Sequence, residues 1–196
     1  KLNIKIADLG CGKLPQYFYH DGLDIDSYDL YADNDFKNFY KEDILKLHEK
    51  PELKDKYDVV ILNHVFEHIN DLESLFKTIN HILKPNGYLY CSIPNGNGFT
   101  DIFYRLIHRY DNGGHVNKWS SDDFIDMLTN NNFRYVKYDV WADDFIWLDT
   151  CYDLKYNQCS ITKDEIKYLA EVFRKELTPN KGYYYGWEFV FTKKVV

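Results

Sequence analysis

Asp8-Leu9-Gly10-Cys11-Gly12 follows directly on the apolar run Ile4–Leu9. A short β-type segment that stops at two closely spaced glycines lets the backbone approach a ligand, because neither glycine carries a Cβ. The dinucleotide fingerprint GxGxxG is not met, since Leu14 and Pro15 stand where further glycines would be needed. The acid just ahead of the glycines suits a cation better than a phosphate. Working outward, Tyr57–Leu62 (YDVVIL) is almost uninterrupted apolar sequence, the pattern of a central parallel strand buried on both faces. An amphipathic helix follows, capped by Asn70 or Asp71 and carrying Leu72, Leu75, Phe76, Ile79, Ile82 and Leu83 at helical spacing. Lys84-Pro85-Asn86-Gly87 stops it, and Tyr88–Ile93 reads as the next strand. This alternation predicts an α/β fold with a parallel sheet.

The second half reads differently. Ser120 or Ser121 caps a helix carrying Phe124, Met127 and Leu128, and Phe133–Trp141 reads as a strand. Thr162-x-x-Glu165 forms a capping box ahead of a helix running to Leu177. Trp187–Thr192 (WEFVFT) reads as the last strand. With no internal repeat or linker, residues 1–196 are expected to form a single domain, with 142–182 as a helical insertion or lid before that strand. Its aromatic content (Phe145, Trp147, Tyr152, Tyr156) is compatible with a lid or a dimer surface.

Composition limits the partners. The net charge is −7, which argues against nucleic acid, since phosphate contacts require a basic face. No apolar run is long enough to cross a bilayer and no signal-peptide pattern is present, so no membrane partner is expected. The four cysteines form no CxxC pair. Cys11 and Cys91 read as apolar fillers at buried strand ends rather than disulfide partners, which predicts a reducing, cytoplasmic setting.

The motifs in order resemble those of class I S-adenosylmethionine-dependent methyltransferases, of the type 11 and type 23 kind acting on small molecules. DLGCG resembles the family's first motif, and Gly22–Asp26 (GLDID) its ribose-binding acid. Lys41–Ile44 (KEDI) resembles the adenine-reading segment. YDVVILNHVFEHIND and LKPNGYLYCSIPN resemble the fourth- and fifth-strand motifs, and GHVNKWSSDDFIDMLTNNNF resembles the segment after them. The resemblance implies a Rossmann-like, seven-stranded, mostly parallel sheet with helices on both faces and one antiparallel strand. It implies S-adenosylmethionine as cofactor, whose sulfonium and ammonium charges suit the acid before the glycines. Asp8, Gly10, Cys11 and Gly12 would hold its methionine end, Asp24 and Ile25 its ribose, Asp43 and Ile44 its adenine, with Asn63 and His64 beside the sulfonium. The short link from Gly12 to Asp24 resembles a branch that modifies sugars, nucleotide sugars or their phosphates for surface polysaccharides. A small-molecule acceptor, O-methyl transfer, and a monomer or homodimer are expected; a non-catalytic cofactor-binding scaffold is the rival.

Methyl transfer from a sulfonium is an in-line displacement, and a hydroxyl acceptor benefits from a base. His64, His68 and His115 are the candidate bases, each expected at the carboxyl edge of the sheet, where α/β folds bind ligands. His64-x-x-Glu67-His68 with His115 also carries the donor types of a divalent-metal site. That spacing is shared by metal-free members of the family, so no metal is expected. Arg105, His108 and Arg109 lie at i, i+3 and i+4, a cationic stripe that reads as a solvated face or as a contact for an anionic acceptor.

Overall fold

The computed structural model describes residues 4–13, 23–35, 37–96, 114–141 and 186–195, together with 164, 165 and 168. Its strands are β1 (Lys5–Leu9), β2 (Asp24–Tyr28), β3 (Phe39–Tyr40), β4 (Tyr57–Asn63), β5 (Leu83–Pro94), β6 (Phe133–Trp141) and β7 (Gly186–Lys193). They form a seven-stranded sheet in the order β3-β2-β1-β4-β5-β7-β6. Every pairing from β3 to β5 is parallel, and β7 runs antiparallel to both β5 and β6. The mostly parallel sheet with one reversed strand is therefore as the sequence led us to expect. Of the expected helix over Thr162–Leu177 only residues 164, 165 and 168 are described, all three helical; the rest of the 142–182 insertion and the Arg105–Arg109 stripe lie outside the described residues.

The central strands are apolar because both their faces are covered. Ala7, Leu9, Val60, Leu62, Leu89 and Cys91 are all fully buried. Helix α1 (Leu72–Ile82) begins where Asp71 Oδ1 accepts from Ser74 N at 3.0 Å, and it buries Leu75, Phe76, Ile79 and Ile82. Helix α2 (Ser121–Asn130) begins where Ser120 Oγ accepts from Asp123 N at 3.2 Å. It ends at an Asn-rich turn in which Asn132 takes φ 76, a conformation asparagine tolerates better than most residues. Phe66 joins the two helices, with its ring 6.0 Å from Phe76 and 5.2 Å, edge-on, from Phe124.

Three boundaries differ from expectation. Strand β5 begins at Leu83, so the Lys84–Gly87 turn is absorbed as an irregularity between the Tyr57–Leu83 and Val59–Tyr88 pairings, with Asn86 at φ 60. Cys91 is buried, but Cys11 lies beyond the end of β1 and is only partly covered. Strand β2 continues through the GLDID motif to Tyr28. Asp26, the last residue of that motif, sits inside the strand at 3% exposure. Tyr57 Oη donates to its Oδ2 at 2.7 Å and Lys56 Nζ lies 2.8 Å from the same oxygen. A matched charge can be buried, so the strand continues through it.

The Phe124 ring is fully buried against Phe66, Phe189 at 5.0 Å and Trp119 at 5.4 Å. Phe124→Ala is expected to lower the unfolding free energy by about 3–5 kcal/mol in urea denaturation. A loss under about 1 kcal/mol, the range of an ordinary surface change, would contradict that role.

Candidate functional site

Parallel strands deliver the loops at their carboxyl ends to one edge of the sheet. A cavity of about 300 Å³ opens there, lined by Gly10, Asp29, Leu30, Tyr31, Asp43, Ile44, Leu45, His64, Val65, His68 and Ile69. Gly10 and Gly12 take φ 72 and φ 65, the left-handed region that side chains resist. A Cβ on Gly10 would lie 2.7 Å from Val65 Cγ2, so the turn also packs too tightly for alanine.

The loop after β2 is built around Asp29. Its Oδ1 accepts from the backbone N–H groups of Tyr31 and Ala32, both at 2.8 Å, and its Oδ2 accepts from Gly12 N at 2.9 Å. Asn34 Nδ2 returns a bond to Gly12 O at 2.8 Å, tying this loop to the glycine turn. Asp43 caps the 3₁₀ turn Ile44–Glu49 by accepting from Leu45 N at 3.0 Å. That holds the Asp43 carboxylate and Ile44 at the pocket wall.

Asp24 and Ile25 are not at this edge. Asp24 opens β2 at the amino end of the sheet, opposite Lys5, whose Nζ is 3.4 Å from its carboxylate. Ile25 pairs with Ile6 inside the sheet. The acid that emerges at the carboxyl end of β2 is Asp29, whereas Asp24, expected from GLDID to hold the ribose, lies at the other end of the strand. The available signal was that the stretch continues through Asp26 and Ser27 to Tyr28, with a further acid, Asp29, directly after it. Leu30 and Tyr31, which also line the pocket, were missed for the same reason.

Asp8 closes β1 beneath the glycine turn. It is 1% exposed, and its Oδ2 has no hydrogen-bond partner among the described residues. Burial first, and then the neighbouring Asp29 charge, push its pKa up to about 7. The Cys11 thiol is pushed up to about 12, by burial and then by Asp8 and Asp29, so it is not a nucleophile at neutral pH.

Of the three candidate bases, His64 and His68 line the pocket, whereas His115 is buried and is not among the lining residues. His64 takes φ 55 directly after β4, its backbone N–H donates to Ser92 O at 3.1 Å, and its Nδ1 lies 3.0 Å from Glu67 Oε1. His68 and His115 stand edge to face with ring centroids 4.8 Å apart. Asn63 faces β5 instead, accepting a hydrogen bond from Ser92 Oγ, and is not among the lining residues.

An adenosyl cofactor with a cationic amino-acid end fits these residues. The unsatisfied, buried Asp8 oxygen and the Asp29 carboxylate supply negative charge beside a turn that backbone alone can approach. Asp43 supplies an acceptor beside the apolar Ile44 and Leu45.

A family model described as a methyltransferase domain matches residues 1–138. The chain is 31% identical to a protein from Pelagibacter ubique named ubiquinone biosynthesis O-methyltransferase, over 70% of this chain and 64% of that one. It thus spans less than two thirds of that relative's length. Among solved structures, a SAM-dependent methyltransferase from Archaeoglobus fulgidus superposes with a TM-score of 0.63 at 16% identity, covering 97% of this chain and 86% of that one. The 1,6-didemethyltoxoflavin-N1-methyltransferase of Burkholderia thailandensis, solved with S-adenosylhomocysteine bound, gives 0.57 at 10% identity over 98% and 72%.

An acid whose pKa is raised on folding binds more protons in the folded state than in the unfolded one between its two pKa values. Stability is therefore lost as pH rises across that window. For Asp8 the window runs from 3.8 to about 7. In cofactor-free protein, Asp8→Asn should be more stable than wild type by an amount that widens from pH 4 to pH 7 and then levels, on the order of 2–4 kcal/mol. Thermal melts across that range check it, and a pH-independent difference would contradict it.

Proposed function

The chain belongs to the methyltransferase domain family and its cofactor is S-adenosylmethionine; from that premise we propose that it methylates an oxygen of a small-molecule acceptor. The observation that carries this reading is the pocket itself, with acids at its glycine side and imidazoles at the other. When bound, the cofactor supplies an electrophilic methyl carbon on a positively charged sulfur. The chain holds it from the β1, β2 and β3 ends: Gly10 and Gly12 by backbone approach, Asp8 by charge, Asp29 through the ribose hydroxyls, and Asp43 with Ile44 at the adenine. His64 and His68 line the cavity, with His115 against His68, and an imidazole exposed there can take the hydroxyl proton of the acceptor. Oxygen as the methylated atom is supported by the name of the Pelagibacter relative.

The apolar part of the described lining, Leu30, Ile44, Leu45, Val65 and Ile69, suits the adenine of the cofactor. Sugars and nucleotide sugars, expected from the short first crossover, have no supporting contact in that lining. Among the described residues no helix is long and apolar enough to cross a membrane.

The test is transfer of labelled methyl from the cofactor to a panel of catechols, monosaccharides and nucleotide sugars. Label on a small hydroxylated compound is the expected result. Binding of S-adenosylhomocysteine with label appearing on none of them, but on protein or RNA, would overturn the reading. Calorimetry tests the cofactor side. Asp29→Ala should weaken S-adenosylhomocysteine binding by about 1–3 kcal/mol through unpaired ribose hydroxyls, while Asp24→Ala leaves it unchanged. The reverse result would restore Asp24 to that role.

A further inference from the structure

Glu67, His68 and His115 each bring one potential ligand atom to within 4.8 Å of the others. The Glu67 side chain is 1% exposed. One of its oxygens is engaged, Oε1 with His64 Nδ1 at 3.0 Å, but the other, Oε2, is buried and has no hydrogen-bond partner among the described residues. A carboxylate oxygen withdrawn from water needs a compensating positive charge or donor. The backbone holds the cluster together. Glu67 O accepts from Val116 N at 2.8 Å and Asn117 N at 3.1 Å, and Asn117 Nδ2 donates to Ile69 O at 2.6 Å. The segment carrying His115 is thereby pinned to the turn carrying Glu67 and His68. His115 is 9% exposed, whereas His68 is exposed and lines the pocket, so the cluster is rigid on its inner side and open on its outer one.

We propose that Glu67 Oε2, His68 and His115 bind a divalent transition-metal cation at the mouth of the pocket. Two imidazoles and a carboxylate suit Mn²⁺, Fe²⁺, Co²⁺ or Zn²⁺, and three protein ligands leave positions open toward the pocket. His64 orients Glu67 from outside, as the second shell of a metal site does. The use of the ion rests on the methyl-transfer reading. An acceptor hydroxyl coordinated there has its pKa lowered. Its proton passes to Nε2 of His64, the ring nitrogen not turned to Glu67. The oxygen lone pair forms the bond to the methyl carbon, and the carbon–sulfur bonding pair returns to sulfur as a neutral thioether.

The full chain, stripped with a chelator and titrated with Co²⁺, should take up one ion with a visible ligand-field absorption. That affinity should fall at least ten-fold in His115→Ala and in Glu67→Gln. Because Glu67 is buried, circular-dichroism melts accompany its variant, and the more peripheral His68→Ala gives a further readout in a folded protein. A wild type that binds S-adenosylhomocysteine but shows no cobalt spectrum overturns the cation site and leaves the methyl-transfer reading standing. Equal cobalt affinity in wild type and all variants overturns it too. A cobalt spectrum lost in the variants, with no S-adenosylhomocysteine binding in any form, supports the cation site and removes the use assigned to it.

Discussion

A negative charge buried inside β2 sets where the pocket can form. Asp26 would break a strand covered on both faces, but Lys56 neutralises it at 2.8 Å and Tyr57 donates to it at 2.7 Å. Tyr28 and Tyr57 complete the chain with hydroxyl oxygens 2.6 Å apart. Burial pushes both phenols above their usual range, so they stay protonated and remain donors. With Asp26 accommodated, β2 runs on to Tyr28, opposite Leu9. The Tyr28 carbonyl then accepts from Gly10 N at 2.8 Å and Cys11 N at 3.2 Å, which shapes the glycine turn, and Asp29 follows at the edge. A one-residue slip would turn every side chain of the strand to the other face. It would take Asp26 away from its lysine and Asp29 away from Gly12.

That dependence explains what the sequence made legible. The glycine turn, the central strand Tyr57–Asn63 and the Asp71 and Ser120 caps are local signals, each set by a few neighbouring residues, and the structure has them where the pattern placed them. That Asp24 opens β2 at the amino end of the sheet was not legible, because an acid in a β-type run gives no local sign of being buried. Whether Asp26 can be buried depends on Lys56 and Tyr57, thirty residues away in sequence. The histidines were found individually, yet nothing in their spacing gives the 4.8 Å approach of His68 and His115. That approach depends on Asn117 reaching Ile69, a contact between segments that share no pattern.

The pocket is electrically divided. Asp8 and Asp29 crowd negative charge beside the glycine turn, to the point that burial and mutual repulsion hold Asp8 near neutrality. Across the cavity, the imidazoles lie around a single buried carboxylate. A ligand bearing positive charge at one end and an oxygen nucleophile at the other would find both halves complementary. Both halves are fixed by backbone hydrogen bonds rather than by long side chains, so little conformational entropy remains to be lost on binding.

The position of β7 has a consequence for how the chain matures. This strand, Gly186–Lys193, lies inside the sheet between β5 and β6, although it follows them in sequence. Lys193 anchors its end, donating to Asn80 O and Leu83 O at 2.6 Å. Until that segment leaves the ribosome, β5 presents an open edge and β6 has no neighbour to pair with. Pairings of such wide sequence separation form late and slowly, and an unpaired apolar edge invites association with other chains. A nascent chain stalled before Gly186 would therefore expose the flank of its own core along β5.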